Sequence, residues 1–295
     1  MEVCVDQVKR GAWEELCDAM HAPLQQRWAY GETIRRLGGD VLRVTLRDGR
    51  RVVAVAQVVR RFSRFGLALV SRGPIWLGDL EIEEQRVALK ILRSTLRRSG
   101  TRMLITTPAT AQAAGIGMAT MTPATIATVA LCDGMRARLR GKWRNRLVCA
   151  EARDLALTLR LSRGAEHDWL FQNEVLQQKS RGYRNLPHPF SEAWLAEPAA
   201  QTLTITSDRG DARAGMMFLR HGSTATYHLG WTSDEARRVS AHTLMLWRAM
   251  EALHKDGVER LDLGILDTER TPGLARFKLG TGAEPHQLGA THLSL

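Results

Sequence analysis

The chain has 295 residues, of which 44% are hydrophobic and 25% charged, and it carries a net charge of +11. This composition excludes a disordered polymer and suits two domains of roughly 150 residues each. The apolar runs are short and interrupted, which excludes a membrane-spanning helix, and no basic start followed by an apolar stretch opens the sequence, so the expected location is the cytoplasm.

In chain order, the first expected element is a helix around Trp13–Arg36, containing Pro23-Leu-Gln-Gln26 and Trp28-Ala-Tyr-Gly31. Strands follow over Val41–Leu46 and Arg51–Arg60, joined by the hairpin turn Arg47-Asp-Gly-Arg50. Leu67–Arg72 reads as a third strand. Glu81–Arg98 reads as a helix with Val87, Ile91 and Leu92 on its apolar side, stopped near Gly100. Met103–Thr107 and Thr125–Leu131 are the next strands, with a short segment between them. A basic helix is expected over Gly134–Arg153, and Glu174–Arg181 reads as a helix ending in the polar loop Arg184–Pro189.

The second half repeats the order of the first. Gln201–Thr206 and Ala212–Leu219 are strand-like and flank the turn Ser207-Asp-Arg-Gly-Asp211; Thr224–Trp231 is a third strand. Ser233 or Asp234 caps a helix whose apolar positions Val239, Thr243, Leu246, Trp247, Met250 and Leu253 recur every three or four residues. Gly257 stops it. A strand over Val258–Ile265, a short helix over Pro272–Leu279 and a last strand over His286–Leu295 complete the chain. Both halves therefore read β-β-β-α-β-α-β, and short antiparallel strands followed by a crossover helix make a mixed sheet.

The four cysteines, Cys4, Cys17, Cys132 and Cys149, show neither metal-ligand spacing nor a disulfide framework. They read as reduced and mostly buried thiols, and no metal site is expected. The positive charge suits a polyanionic partner. Arginine far outnumbers lysine, as GC-rich coding also produces, so charge permits nucleic acid without requiring it.

The repeated element order resembles the core of the GNAT acyltransferase fold, and its tandem duplication resembles the Fem-type peptidoglycan aminoacyltransferases. The resemblance is diffuse in the first half, where Gln26 and Gly31 are similar to a Gln-x-x-x-x-Gly opening segment. It is more specific at Phe277-Lys278 and the following Gly280-Thr-Gly282, which are similar to that family's Phe-Lys pair and glycine-rich exit. It implies an α/β protein with two GNAT-like domains: residues 1–133, a basic linking helix 134–153, and residues 154–295. One departure is that no long heptad insertion interrupts the second half, whereas family members often carry a coiled-coil arm there.

The resemblance also implies an activity. Such enzymes move an aminoacyl group from aminoacyl-tRNA to an amine of a cell-wall precursor, with no tightly bound cofactor. Lys278 would face the reacting groups with Phe277 beside it; read from the residues alone, Lys278 is equally a cation in the last turn of a helix. Arg181 and Tyr183 would contact a phosphorylated acceptor, where Arg offers a planar fork of donors; otherwise they are a helix end and its loop. Tyr227 would position the acceptor amine or relay a proton. Trp231 shares its strand face and would line the acceptor site, unless that face is core. Arg140, Lys142, Trp143 and Arg144 on the basic helix are candidates for tRNA, with Trp143 stacking on a base. Asp262, Asp267 and Glu269 leave the general base open, and the histidines show no triad spacing.

Two alternatives stand beside this reading. One is an acyl-CoA-dependent N-acyltransferase; the other is a non-catalytic basic binding protein on the same fold. Gln112-Ala-Ala-Gly-Ile-Gly117 matches the GNAT pyrophosphate pattern, but it follows the wrong strand and reads as a turn. At the proper place, Arg237–His242, serine and histidine stand where glycines are expected, which argues against coenzyme A. A lipid-linked acceptor would bring the chain to a membrane surface without inserting it.

Overall fold

The computed structural model describes residues 1–61, 66–153, 155, 157–161, 168–209 and 212–295. Two units form, one from Met1–Thr125 with His286–Leu295, the other from Ile126–Pro285.

The first unit begins with β1 (Glu2–Val5) and α1 (Arg10–Ala19), a 3-10 turn at Leu24–Gln26, and α2 (Trp28–Arg36). The expected single helix is thus broken after Ala19: His21 takes a left-handed φ of +44°, and Pro23, with its fixed φ, leads into the 3-10 turn. Gln26 explains the break: its amide donates to Ser71 O at 2.7 Å and accepts from Gln57 N at 2.7 Å, while its own carbonyl takes the Trp13 indole N–H. Gly31 is required because a side chain there would meet Gln57 and Arg43. The Gln26…Gly31 segment is an internal brace of this unit.

The unit continues through β2 (Asp40–Asp48), β3 (Arg51–Arg61), β4 (Leu67–Ser71), β5 (Ile75–Trp76), α3 (Ile82–Arg98), β6 (Met103–Thr107) and β7 (Met118–Met121). Helix α3 buries Ala88, Leu89, Leu92 and Leu96, whereas Val87, expected on the apolar side, is 48% exposed. Arg93 is buried on that face because its guanidinium caps the carbonyls of Thr101 and Arg102. No helix forms between β6 and the next strand; Gln112–Gly117 is a turn, with Gly117 at φ +87° tight against the Leu293 backbone.

The second unit runs β8 (Thr125–Ala130), a 3-10 turn at Met135–Arg138, α4 (Gly141–Glu151), β9 (Leu157–Leu161), α5 (Asp168–Arg181), α6 (His188–Leu195), β10 (Gln201–Arg209), β11 (Ala212–His221) and β12 (Thr224–Thr232). It continues with α7 (Asp234–Arg238), α8 (Ala241–Lys255), β13 (Arg260–Ile265), α9 (Pro272–Gly280) and β14 (Glu284–Gln287). The expected loop at 184–189 is shorter than read, because α6 starts at His188 with Pro189 in its first turn. The expected helix from Asp234 is two helices, parted at Ser240, which adopts the left-handed conformation (φ +58°). Gly210 and Asp211 of the expected hairpin turn lie outside the described residues.

The sheets are mixed. The first has the order β1-β2-β3-β4-β6-β15-β7, where β15 is Thr291–Ser294, and β5 pairs with β3. The second has the order β14-β8-β13-β12-β11-β10-β9. Each contains a parallel pair, β4–β6 in the first and β12–β13 in the second, bridged in sequence by a long crossover helix.

This topology corrects the expected boundaries. The last strand of each repeat joins the sheet of the other: β8 pairs with β13, and β15 pairs with β6 and β7. The boundary at 133/134 therefore falls within the second unit, and the last ten residues return to the first. Helix α4 is not a linker either, because Trp143, Leu147 and Ala150 belong to the core of the second unit with Leu246, Met250 and Leu261. Of the cysteines only Cys17 is buried, where burial pushes its thiol up to about 12; Cys132 and Cys149 are exposed, contrary to expectation.

Candidate active site

The two parallel pairs differ in length. β4 and β6 stay in register over five residue pairs, Leu67–Ser71 with Met103–Thr107. β12 and β13 pair only at Thr224–Thr226 with Arg260–Asp262. Tyr227 is the first residue of β12 beyond that pairing. On β13 the pairing with β8 also becomes irregular between Asp262 and Ile265. Gly264 takes φ +78° there, a conformation that favours glycine, and its N–H donates to Asp262 Oδ1 at 2.7 Å.

Lys278 reaches this irregularity. It lies in the last turn of α9, 7% exposed, and its Nζ donates to Ile265 O at 2.7 Å. The side chain thus bonds to β13 rather than to its own helix end. Burial holds the ammonium down at about 8, opposed by the negative charge of Asp262. Such a lysine keeps most of its charge at neutral pH yet is readily titrated. Phe277, expected beside substrate, is half-buried against the core, with its ring centroid 6.2 Å from that of Trp143. It serves to seat α9.

A second group of polar side chains forms on α5 and the loop after it. Glu174 is 4% exposed. Tyr183 Oη lies 2.9 Å from both its carboxylate oxygens, Gln177 Nε2 donates to it at 3.0 Å, and Gln178 Nε2 approaches at 3.4 Å. Gln177 Nε2 also lies 2.8 Å from Tyr183 Oη and 3.3 Å from Gly230 O, tying the helix to β12. Burial raises the Glu174 carboxyl above its usual range, against the pull of these donors. Burial likewise pushes the Tyr183 phenol up to about 12. Tyr227 is raised first by burial and then by the charges of Glu174 and Tyr183, so both phenols stay protonated at neutral pH. The Tyr227 hydroxyl lies against Gly230, where any side chain would displace it.

The remaining expected residues fall as follows. Arg181 is exposed at the end of α5, and its charge acts on Tyr183 and on His242. Trp231 is half-buried, edge-on to Trp169 at 6.1 Å, and its carbonyl accepts from His242 Nε2 at 2.9 Å. Arg140, Lys142 and Arg144 are exposed on or beside α4, with Arg144 donating to the carbonyls of Ala137 and Leu139. Trp143 is 5% exposed inside the core, so it offers no ring face for a base. Tyr183, Tyr227, Arg181 and Trp231 thus gather around α5 and β12, while Lys278 and Asp262 gather at β13.

Sequence reading missed Glu174 as a buried acid of the candidate site. The signal was present: Leu170, Phe171 and Glu174 follow helical spacing and are all buried, so an acid occupies a core position. It also missed that His228 and His242 are held neutral. Burial lowers each to about 4, with His228 Nε2 2.7 Å from Ser191 Oγ.

Two mixed sheets, each with a crossover helix and a parallel pair, make an α/β protein of two similarly built halves. The acetyltransferase (GNAT) domain family matches residues 134–288, more than half of the sequence, and the chain belongs to that family. No curated protein matches the sequence significantly. The fold is similar to FemX, at 13% identity and a TM-score of 0.78, over 98% of this chain and 96% of that one. It is also similar to a tandem GNAT protein from the clavulanic acid biosynthesis pathway, at 14% identity and a TM-score of 0.58, over 99% and 98% of the two chains. A third similar structure is the C-terminal domain of a putative lysylphosphatidylglycerol synthetase from Agrobacterium fabrum, at 16% identity and a TM-score of 0.51, over 95% and 92%. Among the described residues no helix is long and apolar enough to cross a membrane.

Proposed function

We propose that this protein is an acyltransferase that forms an amide bond, carrying an aminoacyl group from aminoacyl-tRNA to an amine of a peptidoglycan precursor or a related small acceptor. The observation that carries the reading is Lys278, a buried and still largely protonated lysine at the β13 irregularity beside Asp262. The tandem fold shared with FemX supports it. So do the exposed cations Arg140 and Lys142, which suit a polyanionic donor.

In the reaction the acceptor nitrogen attacks the ester carbonyl. A C–N bond forms, the bond to the ribose oxygen breaks, and the proton lost by the amine ends on that oxygen, which leaves as the free ribose hydroxyl. The Lys278 ammonium stabilises the negative charge that develops on the carbonyl oxygen or on the departing ribose oxygen. Tyr227, protonated, donates a hydrogen bond that orients the acceptor; Tyr183 spends its single proton on Glu174 and holds the loop in place, and Arg181 at the open end of α5 binds the acceptor's phosphate or carboxylate.

A second reading, transfer from an acyl-coenzyme A, is favoured by the family itself. Against it, Ser240 and His242 occupy the start of α8 where close backbone approach to a diphosphate favours glycine, and the His242 ring is committed to Trp231 O. Parallel assays with charged total tRNA and with labelled acetyl-coenzyme A, on one panel of amines, separate the two. Transfer from tRNA alone supports the first reading; transfer from coenzyme A alone replaces it with the second.

A further inference from the structure

A small cleft opens beside Glu174, between α5, α6 and β12. Phe171, Leu186 and Leu229 supply apolar walls, and Glu174, Gln178 and His188 supply polar atoms. Two features of this lining go beyond what packing requires. First, the Glu174 carboxylate is nearly fully buried, and its hydrogen-bond partners are Tyr183, Gln177, Gln178 and Asn185, all neutral. Among the described residues it has no ion pair with Lys, Arg or His. A buried carboxylate without a cation is costly, and a glutamine of the same shape would avoid that cost. Second, Nε2 of His188 is buried without a hydrogen-bond partner, while its ring packs on Phe171 at 4.6 Å. An acceptor and an unsatisfied ring nitrogen therefore line one narrow, mostly apolar opening.

We infer that this cleft is a subsite for a primary ammonium group on an apolar stem, with Glu174 as its counter-ion. The opening has room for little more than one small polar head. An ammonium offers three donors, which suits the carboxylate and leaves one for a neighbouring acceptor such as His188 Nε2. Phe171 and Leu229 wall the head itself, and Leu186, partly exposed, suits the first methylenes that lead away from it. The subsite is separate from Arg181, which stands seven residues further along α5, about 10 Å away along the helix axis. This inference rests on the proposed function in so far as the ammonium belongs to the acceptor amine; the cleft itself is defined without it.

Its test uses the full chain and two simple probes, n-pentylamine and 1-pentanol, titrated at neutral pH and followed in amide NMR spectra. The amine is expected to shift residues around Phe171, Leu186 and Leu229 and to bind at least about fivefold more tightly than the alcohol, as one charge-assisted contact requires. Glu174→Gln, which keeps the shape and the Tyr183 contact, is expected to abolish that preference. Equal binding of the two probes by the wild-type chain overturns the inference, whatever the variant does, and so does an undiminished preference in the variant. The acyl-transfer assays separate the two claims. Transfer without an amine preference removes this subsite alone. An amine preference without transfer from either donor leaves the subsite and removes the proposed function.

Discussion

Replacing Lys278 by methionine keeps the volume of the side chain and removes its charge and its hydrogen bond. The structural cost of that change can be worked out. Burial lowers the lysine from its ordinary 10.5 to about 8, which corresponds to a penalty of about 3 kcal/mol on the charged form in the folded state. The unfolded chain binds more protons at this residue between pH 8 and 10.5, so the penalty is fully present below pH 8 and relieved as pH rises through that window. Against it stands the bond to Ile265 O, worth about 1–2 kcal/mol, and Ile265 is itself largely exposed, so water can replace the donor. Lys278→Met should therefore be as stable as the wild type or more stable by up to ~2 kcal/mol at pH 7 in urea unfolding. Its turnover should nonetheless fall at least about tenfold, or about 1.4 kcal/mol of transition-state stabilisation. The wild-type rate should also decline above about pH 8, as the ammonium is lost. A lysine retained for structure gives the opposite pair of results, a destabilised variant that turns over normally, and that outcome would refute the reasoning.

Three other consequences follow from the same unit. His228 and His242 are held neutral at about 4, below the ordinary 6.5, so acid protonates the unfolded chain first and each should cost about 2 kcal/mol of stability by pH 5; urea melts of His228→Gln should lose correspondingly less between pH 7 and 5, and an unchanged pH dependence contradicts this. Gly230→Ala should destabilise by about 1–3 kcal/mol and displace the Tyr227 hydroxyl, which chemical shifts of the tyrosine ring report. Trp143→Ala should cost about 3–5 kcal/mol of folding stability because the ring is core, whereas Arg140→Glu and Lys142→Glu should leave stability within about 0.5 kcal/mol and weaken tRNA binding; gel-shift assays beside melting curves check both halves.

The architecture was legible where local signals agree. The hairpin at Arg47–Arg50, the apolar stripe from Thr243 to Leu253 and the Pro272 helix start each carry their own turn, period or cap, and each formed as read. The exchange of β8 and β15 between sheets was not legible, since strand propensity says which residues extend but not whom they pair with. Helix α4 misled for a related reason. Its basic residues face outward, but Trp143, Leu147 and Ala150 share the opposite side, and their four- and three-residue spacing marks packing rather than a solvated linker. At the site, Lys278 was visible through its neighbours in sequence. Glu174 was hidden because a carboxylate on a helix is ordinarily solvated, and only the fold of the Tyr183 loop and β12 around it removes the water.

The central claim is that this unit makes an amide bond and that Lys278 assists it. The most direct measurement is product analysis by mass spectrometry after incubating the protein with charged total tRNA and a panel of small and precursor amines, beside the folded Lys278→Met variant. The account predicts an amide-linked aminoacyl adduct on one class of amine, formed by the wild type and reduced at least about tenfold in the variant. Aminoacyl transfer at the same rate by both proteins, or no adduct from charged tRNA or acetyl-coenzyme A on any amine, contradicts it.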